Sequence, residues 1–182
     1  MIYIIDHKDS FTHNVVHQFE NFDDVTCDNY NEINEDKLNK SKVIVFSPGP
    51  GAPKDYPVSS NIYKRFKGKK KIIGICLGFQ QILHCEKAKI IEQKKIYHGY
   101  QSKIKVTSEN SLFKKNRKFN VGRYHSLKLK EPFVAKNFEI TMRCAISNVA
   151  MAIENNNEKI YGFQFHPESF LTENGNLLIK KI

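Results

Sequence analysis

The sequence predicts an α/β fold: an open, mostly parallel sheet flanked by helices on both faces, with a small extra set of antiparallel strands in the second half. Two patterns carry this prediction. Short β-branched runs alternate with segments of helical periodicity in the first half, which is typical of βαβ units. Shorter, partly alternating strand patterns dominate the second half. With 182 residues, 40% of them hydrophobic, and no repeat or linker, the chain is expected to form one domain spanning residues 1–182.

The first half contains three predicted strands, each followed by a helical segment. The strands are the apolar runs at residues 2–5, 43–46 and 72–75. The last two are continuous enough to be buried on both faces of a sheet. The first helix is predicted from the helical spacing of Phe11, Val15, Phe19 and Phe22. Two further helices are predicted over residues 58–66 and 78–87.

The second half changes to shorter strands. They are predicted over residues 103–107, 126–130, 140–145, 149–154 and 159–165. The polar stretch 154–158 is expected to turn the chain between the last two. This part therefore supplies the antiparallel strands of the predicted fold.

The charge of the chain makes nucleic-acid binding an obvious alternative. The formal net charge is +10, and lysines cluster at residues 64–71 and 114–118. However, only four of the 29 basic residues are arginine, the side chain on which specific base and phosphate recognition depends. A lysine-rich composition spread over solvated faces explains the charge, so nucleic acid is not expected as a partner.

Other broad classes are excluded by composition and spacing. No apolar run reaches the length of a membrane helix, and the N-terminus arrives at Asp6 too early for a signal peptide, so a soluble, cytoplasmic protein without membrane partners is expected. Cysteines at 27, 76, 85 and 144 show neither CxxC nor paired spacing. A zinc site or a disulfide framework is therefore not expected, and no metal is assigned to this chain.

A candidate nucleophile lies where the third strand gives way to a helix. Gly74-Ile75-Cys76-Leu77-Gly78 has the small flanking residues that a tight strand-to-helix turn, or nucleophile elbow, requires. The turn also places the sulfur at a helix N-terminus, where the helix dipole favours a thiolate. A Gly-x-Cys-x-Gly pattern arises by chance roughly once in a hundred such chains, and a buried core cysteine is the alternative interpretation.

A candidate base and its partner follow the last strand. In Phe163-Gln164-Phe165-His166-Pro167-Glu168 the histidine ends the strand, where open α/β sheets bind their ligands. Glu168 lies two residues further on and is able to accept a hydrogen bond from the imidazole. Cys76, His166 and Glu168 then form a nucleophile, a base and an orienting carboxylate.

The Pro/Gly-rich loop at residues 47–53 completes the chemistry. Acyl transfer needs two donors that point at the developing oxyanion. The N–H of Leu77, which follows the nucleophile, is one candidate, and the N–H of Gly51 is the other. A rigid structural turn is the simpler explanation of the same loop.

These motifs resemble the class I (triad) glutamine amidotransferases over nearly the whole chain. Within that class the sequence is most similar to the glutaminase subunit, component II, of anthranilate synthase and of aminodeoxychorismate (p-aminobenzoate) synthase. The motifs that carry the resemblance lie at residues 6–14, 47–53, 74–80, 98–102, 122–127 and 162–169.

The resemblance implies that L-glutamine is hydrolysed to glutamate and ammonia through Cys76, His166 and Glu168, with an oxyanion hole made by Gly51 and Leu77. The glutamine pocket is expected to include Gly49, Pro50, Gly51, Gln80 and the backbone of Ser126 and Leu127. It also implies a chorismate-binding synthase subunit, component I, as partner in a hetero-oligomer. That partner receives the ammonia and is expected to bind the magnesium, so no cofactor is expected in this chain. The product is anthranilate or 4-amino-4-deoxychorismate.

Three positions depart from the family pattern. Phe79 stands where the family usually has histidine, and His7 and Lys8 stand where it usually has asparagine and tyrosine. Two other functions remain open. One is a stand-alone Cys-His γ-glutamyl hydrolase, and the other is a catalytically silent, basic RNA-binding or scaffold module.

Overall fold

The computed structural model describes residues 1–182 and contains eleven strands and five helices. The strands are β1 (Ile2–Asp6), β2 (Val25–Asn29), β3 (Val43–Phe46), β4 (Lys71–Ile75), β5 (Ile90–Glu92), β6 (Tyr100–Val106), β7 (Lys118–Arg123), β8 (Leu127–Leu129), β9 (Glu139–Cys144), β10 (Ala150–Asn155) and β11 (Ile160–Phe163). The helices are α1 (Thr12–Glu20), α2 (Glu35–Lys40), α3 (Pro57–Phe66), α4 (Leu77–Cys85) and α5 (Gly175–Lys181).

Nine strands form one sheet in the order β2-β1-β3-β4-β11-β10-β9-β6-β7. The strands from β2 to β11 are parallel, and those from β11 to β7 are antiparallel. A separate two-stranded sheet pairs β5 with β8. The mixed sheet with a small antiparallel sheet confirms the predicted fold class. Most of the antiparallel strands, however, extend the main sheet.

Helices cover both faces because the parallel strands alternate apolar side chains between the two sides. On β1, Ile4 packs in one core cluster with Val15 and Phe19 of α1, whereas Ile5 packs in the other with Leu38 of α2. Helix α5 joins the first cluster, and α3 and α4 join the second. Each fully buried aliphatic side chain contributes about 1.5–3 kcal/mol, so both layers stabilise the sheet.

The predicted elements are present with small shifts, but five were missed. The first helix ends at Glu20, so Phe22 lies beyond it and is partly exposed. No signal predicted β2, α2, β5, β7 or α5. None of the five helices combines the length and the apolarity that crossing a bilayer requires.

Candidate active site

Cys76 occupies a strained turn between β4 and α4. Its backbone angles are φ 52° and ψ −99°, a positive φ that non-glycine residues rarely adopt and that costs about 1–3 kcal/mol. The two flanking glycines make this turn possible. A Cβ on Gly74 would lie 2.4 Å from the carbonyl oxygen of Gly78, and one on Gly78 would lie 2.1 Å from that of Phe46. The tight strand-to-helix turn that the sequence predicts at Cys76 is therefore present in the structure.

The turn leaves a backbone donor free beside the sulfur. Leu77 is the first residue of α4, so its N–H has no acceptor within the helix, and it makes no other hydrogen bond within the protein. The N–H of Cys76 itself is occupied by the carbonyl of Phe163 at 2.8 Å. Cys76 is only 7% exposed, so little of its surface is accessible to a reagent.

His166 and Glu168 form a close, buried pair. The Nδ1 atom donates to Oε1 of Glu168 at 2.6 Å, and both side chains are almost inaccessible to solvent. A carboxylate only accepts, so Nδ1 carries the proton and the opposite nitrogen, Nε2, is left with a lone pair in the neutral ring. Nε2 is buried and makes no hydrogen bond. The ring is thus oriented as a base.

Two neighbouring groups control the charge of His166. Burial lowers the pKa of the imidazole, but the Glu168 carboxylate and Cys76 outweigh burial and raise that pKa well above its ordinary value. This effect of Cys76 places the sulfur within electrostatic reach of the ring. The raised pKa favours the protonated ring, which is the form that can give a proton to a leaving group.

The ring of His166 is also held from the backbone side. The backbone N–H of His166 donates to the carbonyl of Gly122 at 3.0 Å, which ties the segment after β11 to β7. The rings of Tyr124 and Phe11 pack on the imidazole with centroids at 4.9 and 5.3 Å. The backbone hydrogen bond and the two aromatic contacts therefore restrict the position of the imidazole.

The loop at residues 47–53 packs against the elbow. A Cβ on Gly49 would lie 2.6 Å from Cδ2 of Leu77, so only glycine allows this approach. Gly51 has φ +72°, and its N–H makes no hydrogen bond within the protein. Tyr56 holds the intervening residue by donating its hydroxyl to the carbonyl of Pro50 at 2.9 Å. The structure thus brings the predicted loop next to Leu77 with its donor free.

Gln80 and Leu127 also meet at this site. The amide nitrogen of Gln80 lies 3.5 Å from the carbonyl oxygen of Leu127 and 3.1 Å from Oε1 of Gln164. Ser126 is exposed, and its N–H has no acceptor in the protein. All the predicted pocket residues therefore surround the same strand ends, and their role in binding stays a prediction.

Sequence reasoning missed two neighbours of this site. Gln164 places its amide 3.8 Å from Sγ of Cys76. Arg123, fully buried without a carboxylate partner, donates from Nε to Nε2 of His125 at 3.0 Å. His125 in turn donates from Nδ1 to the carbonyl of Leu127 at 2.8 Å. The motif at residues 122–127 was visible, but spacing alone did not predict this connection.

Two of the three departures from the family pattern, Phe79 and His7, have structural explanations. Phe79 is fully buried in the apolar cluster and fills the space left by Gly162, where a Cβ would lie 2.9 Å from the phenyl ring. His7 is also fully buried, and its ring lies between two serines: Nδ1 is 3.1 Å from the carbonyl oxygen of Ser47, and Nε2 is 2.8 Å from Oγ of Ser59. Burial lowers the pKa of His7 to about 4, so the ring is neutral.

No group of three histidine, cysteine or acidic side chains is arranged to hold a metal ion. Helix α1 carries two histidines, His13 and His17, four residues apart. His17 lies 3.8 Å from a carboxylate oxygen of Glu20, and both are largely exposed to solvent.

Known proteins share this sequence and this fold. The family model "Glutamine amidotransferase class-I" matches residues 3–182. The chain is 40% identical to "Anthranilate synthase component 2" of Lactococcus lactis, covering 99% of this chain and 92% of that protein. It is 33% identical to "Bifunctional protein TrpGD" of Thermotoga maritima, covering 98% of this chain but spanning only 31% of that longer protein.

Comparison with solved structures supports the same fold. A solved structure from Thermoplasma acidophilum superposes with a TM-score of 0.84 at 20% identity, covering 99% of this chain and 90% of that one. At this identity the likeness concerns the fold alone. The full-length sequence match, together with this fold, shows that the chain belongs to the class-I glutamine amidotransferases.

Proposed function

We propose that this chain is the glutaminase subunit of an anthranilate synthase type of enzyme, with Cys76, His166 and Glu168 as its catalytic triad. The buried His166–Glu168 pair carries the proposal. The Nε2 atom of His166 makes no hydrogen bond within the protein. Cys76, held in a strained elbow, is close enough to raise the pKa of this imidazole. A packed core cysteine has no need of these features.

The first half-reaction forms a glutamyl thioester. The thiolate of Cys76 attacks the side-chain carbonyl carbon of glutamine, and the oxygen becomes negatively charged. The free N–H groups of Leu77 and Gly51 donate to that oxygen. When the carbon–nitrogen bond breaks, the imidazolium of His166 gives its proton to the leaving nitrogen, and ammonia departs.

The second half-reaction releases glutamate. His166, now neutral, takes a proton from water, and the resulting hydroxide attacks the thioester carbonyl. The same two N–H groups stabilise the second oxyanion, and its collapse returns the thiolate and the imidazolium. Glu168 keeps the ring oriented throughout by accepting from Nδ1.

Recognition of the substrate's amino-acid end falls to Gln80 and to the backbone of Ser126 and Leu127. The N–H of Ser126 is free to bind a carboxylate, and the amide of Gln80 is held next to Leu127. Gly49 and Pro50 form the opposite wall of the pocket, since that loop packs on Leu77.

The partner we propose is a chorismate-binding synthase subunit that receives the ammonia. The names of the relatives support it, because component 2 of anthranilate synthase implies a component 1. The same names favour anthranilate over 4-amino-4-deoxychorismate as the product. Magnesium and chorismate would bind the partner subunit.

The test is product identification with the purified chain, glutamine, chorismate, magnesium and each chorismate-binding subunit in turn. We expect anthranilate from one pairing. Cys76→Ala should abolish the glutamine-dependent reaction and leave the reaction with ammonium salts intact. Cys27→Ala, which removes an exposed thiol on β2, should change neither reaction.

Three results would contradict this proposal. Glutamine-dependent product from Cys76→Ala would remove the nucleophile from the mechanism. Turnover of γ-glutamyl peptides without any partner, and no ammonia transfer with one, would favour a stand-alone hydrolase instead. Aminodeoxychorismate as the sole product would assign the chain to the folate branch.

A further inference from the structure

Gln164 is a polar side chain buried within the site and outside the triad, the oxyanion hole and the glutamine pocket. It follows β11 directly and is fully buried. Its amide makes hydrogen bonds with site residues only: Oε1 accepts from Gln80 at 3.1 Å, and Nε2 donates to Sγ of Cys76 at 3.8 Å. Burial of an amide is costly, and packing alone would be satisfied by methionine or leucine. The burial of this amide is therefore explained by its hydrogen bonds to Gln80 and Cys76 rather than by packing.

The direction of these hydrogen bonds is fixed by a main-chain carbonyl. The oxygen of Leu127 only accepts, and it already receives Nδ1–H of His125 at 2.8 Å. Gln80 must therefore turn its NH₂ group toward that oxygen and toward Gln164. Gln164 in turn has to present its carbonyl oxygen to Gln80, which leaves its NH₂ group for the sulfur.

This order of donors has two consequences for glutamine hydrolysis. The Oε1 atom of Gln80 makes no hydrogen bond within the protein and is not enclosed, so it is available to accept from the α-ammonium group of the substrate. At the other end, an N–H that points at Sγ stabilises negative charge on the sulfur. One buried amide thus connects the binding group to the nucleophile.

We propose that Gln164 is a positioning residue that orients Gln80 toward the substrate and supports the thiolate form of Cys76. The inference rests on the proposed function only in taking glutamine as the substrate. Gln164 touches the reacting sulfur through a hydrogen bond but exchanges no proton with the substrate.

The first measurement needs neither substrate nor partner. The rate at which iodoacetamide alkylates Cys76 is followed by mass spectrometry across a range of pH. Gln164→Met keeps the length and burial of the side chain but removes both hydrogen bonds, and we expect about tenfold slower alkylation at neutral pH. Gln81→Met is the matched control, because Gln81 is also a buried amide, lies next to Gln80 on α4 and donates to Ser60 instead of to a site residue. It should alkylate at the wild-type rate.

The second measurement is the glutamine concentration that halves the alkylation rate. We expect Gln164→Met to raise it about tenfold, because Gln80 is no longer held. Gln164→Glu keeps an acceptor for Gln80 but loses the amide donor to the sulfur. Glutamine should therefore protect this variant at the wild-type concentration, while Cys76 is alkylated slowly. This split between the two readouts is not expected from a purely structural role.

The outcomes separate this inference from the proposed function. Wild-type alkylation and wild-type protection in Gln164→Met would overturn the role of Gln164. If Gln164→Met does not fold, equal behaviour of Gln164→Glu and wild type in the alkylation assay would overturn it. If glutamine protects neither wild type nor variant while the alkylation rates still differ, the support of the thiolate stands and glutamine as the substrate is wrong.

Discussion

The Glu168 carboxylate sets the protonation of His166, and this gives a pH-dependent prediction. Glu168→Gln removes the carboxylate that raises the pKa of the imidazole. The imidazolium must protonate the leaving ammonia, so activity falls as pH rises through that pKa. We expect the variant to lose activity at lower pH than wild type, with kcat reduced about 10³–10⁴-fold. The pH profile of glutamine hydrolysis in the synthase complex measures both.

The control for this prediction is Glu131→Gln. Glu131 is a partly exposed carboxylate that pairs with Arg143 far from the triad. It should leave the pH profile unchanged. An unshifted profile in Glu168→Gln itself would mean that Glu168 does not control the imidazole.

Gly51 has a φ of +72°, in the left-handed region that favours glycine and strains most other residues. Gly51→Ala would place a Cβ 2.8 Å from Oδ2 of Asp55, the oxygen that accepts the N–H of Ala52. We expect the loop to shift and kcat to fall about 10²–10³-fold through loss of one oxyanion donor. Gly68→Ala is a close control, because its φ of +73° nearly equals the +72° of Gly51 and it lies outside the site. Steady-state kinetics of both variants separate backbone strain from loss of the donor, and equal kcat values would refute the assignment of Gly51.

At the scale of single residues, the sequence predicted those positions whose chemistry has a local pattern. Cys76 is flanked by the glycines that its turn requires, and His166 is followed by its carboxylate two residues later. Gln164 had no such signal, because a glutamine next to a strand acquires a role only when folding places it beside a distant sulfur. The link from Arg123 through His125 to Leu127 is local in sequence, but it depends on side-chain orientations and burial that the spacing of these residues does not specify.

The contact between α4 and the sheet depends on the missing side chain of Gly78. Gly78→Ala would place a Cβ 2.1 Å from the carbonyl oxygen of Phe46, which belongs to the backbone of β3 and cannot rotate away. We expect the free energy of unfolding to fall by at least about 3 kcal/mol, measured by urea denaturation. Gly68→Ala meets nothing closer than 3.8 Å and should cost only about 1 kcal/mol of backbone strain. Similar losses in the two variants would show that the approach of α4 to β3 is not limiting.

Among the elements, those with continuous apolar runs were predicted and those without them were missed. Strands β3 and β4 are buried on both faces, and the sequence shows this directly. Strand β2 is half-exposed at the edge of the sheet, and α2 has Leu38 as its single buried residue. Pairing with β1 and packing of one leucine stabilise them, and neither effect leaves a periodic pattern.

The molecule as a whole carries two buried neutral histidines, and these determine its stability in acid. Burial lowers the pKa of His7 to about 4, and burial with the nearby Arg123 lowers that of His125 to about 3. Between these values and the ordinary 6.5, the unfolded chain binds a proton that the folded chain excludes. The free energy of unfolding therefore falls as pH drops below 6.5, by about 3 kcal/mol for His7 alone once pH reaches about 4.

His166 has the opposite sign and does not compensate in acid. Its pKa is raised in the folded state, so its contribution to stability is fully present below 6.5 and is lost only as pH rises through the folded value. Carboxylates whose pKa is lowered, such as Glu131, act at lower pH because they start from about 4.5. The fall in the free energy of unfolding between pH 6.5 and 4.5 is therefore due to the buried histidines, and stability should be greatest near neutral pH.

Urea denaturation at a series of pH values tests this assignment. His7→Asn, which introduces the residue usual at this position in the family, removes the titrating ring and should flatten the slope of stability between pH 6.5 and 4.5. His84→Asn replaces an exposed histidine and should leave the slope unchanged. A slope that stays as steep in His7→Asn would assign the acid lability to other groups.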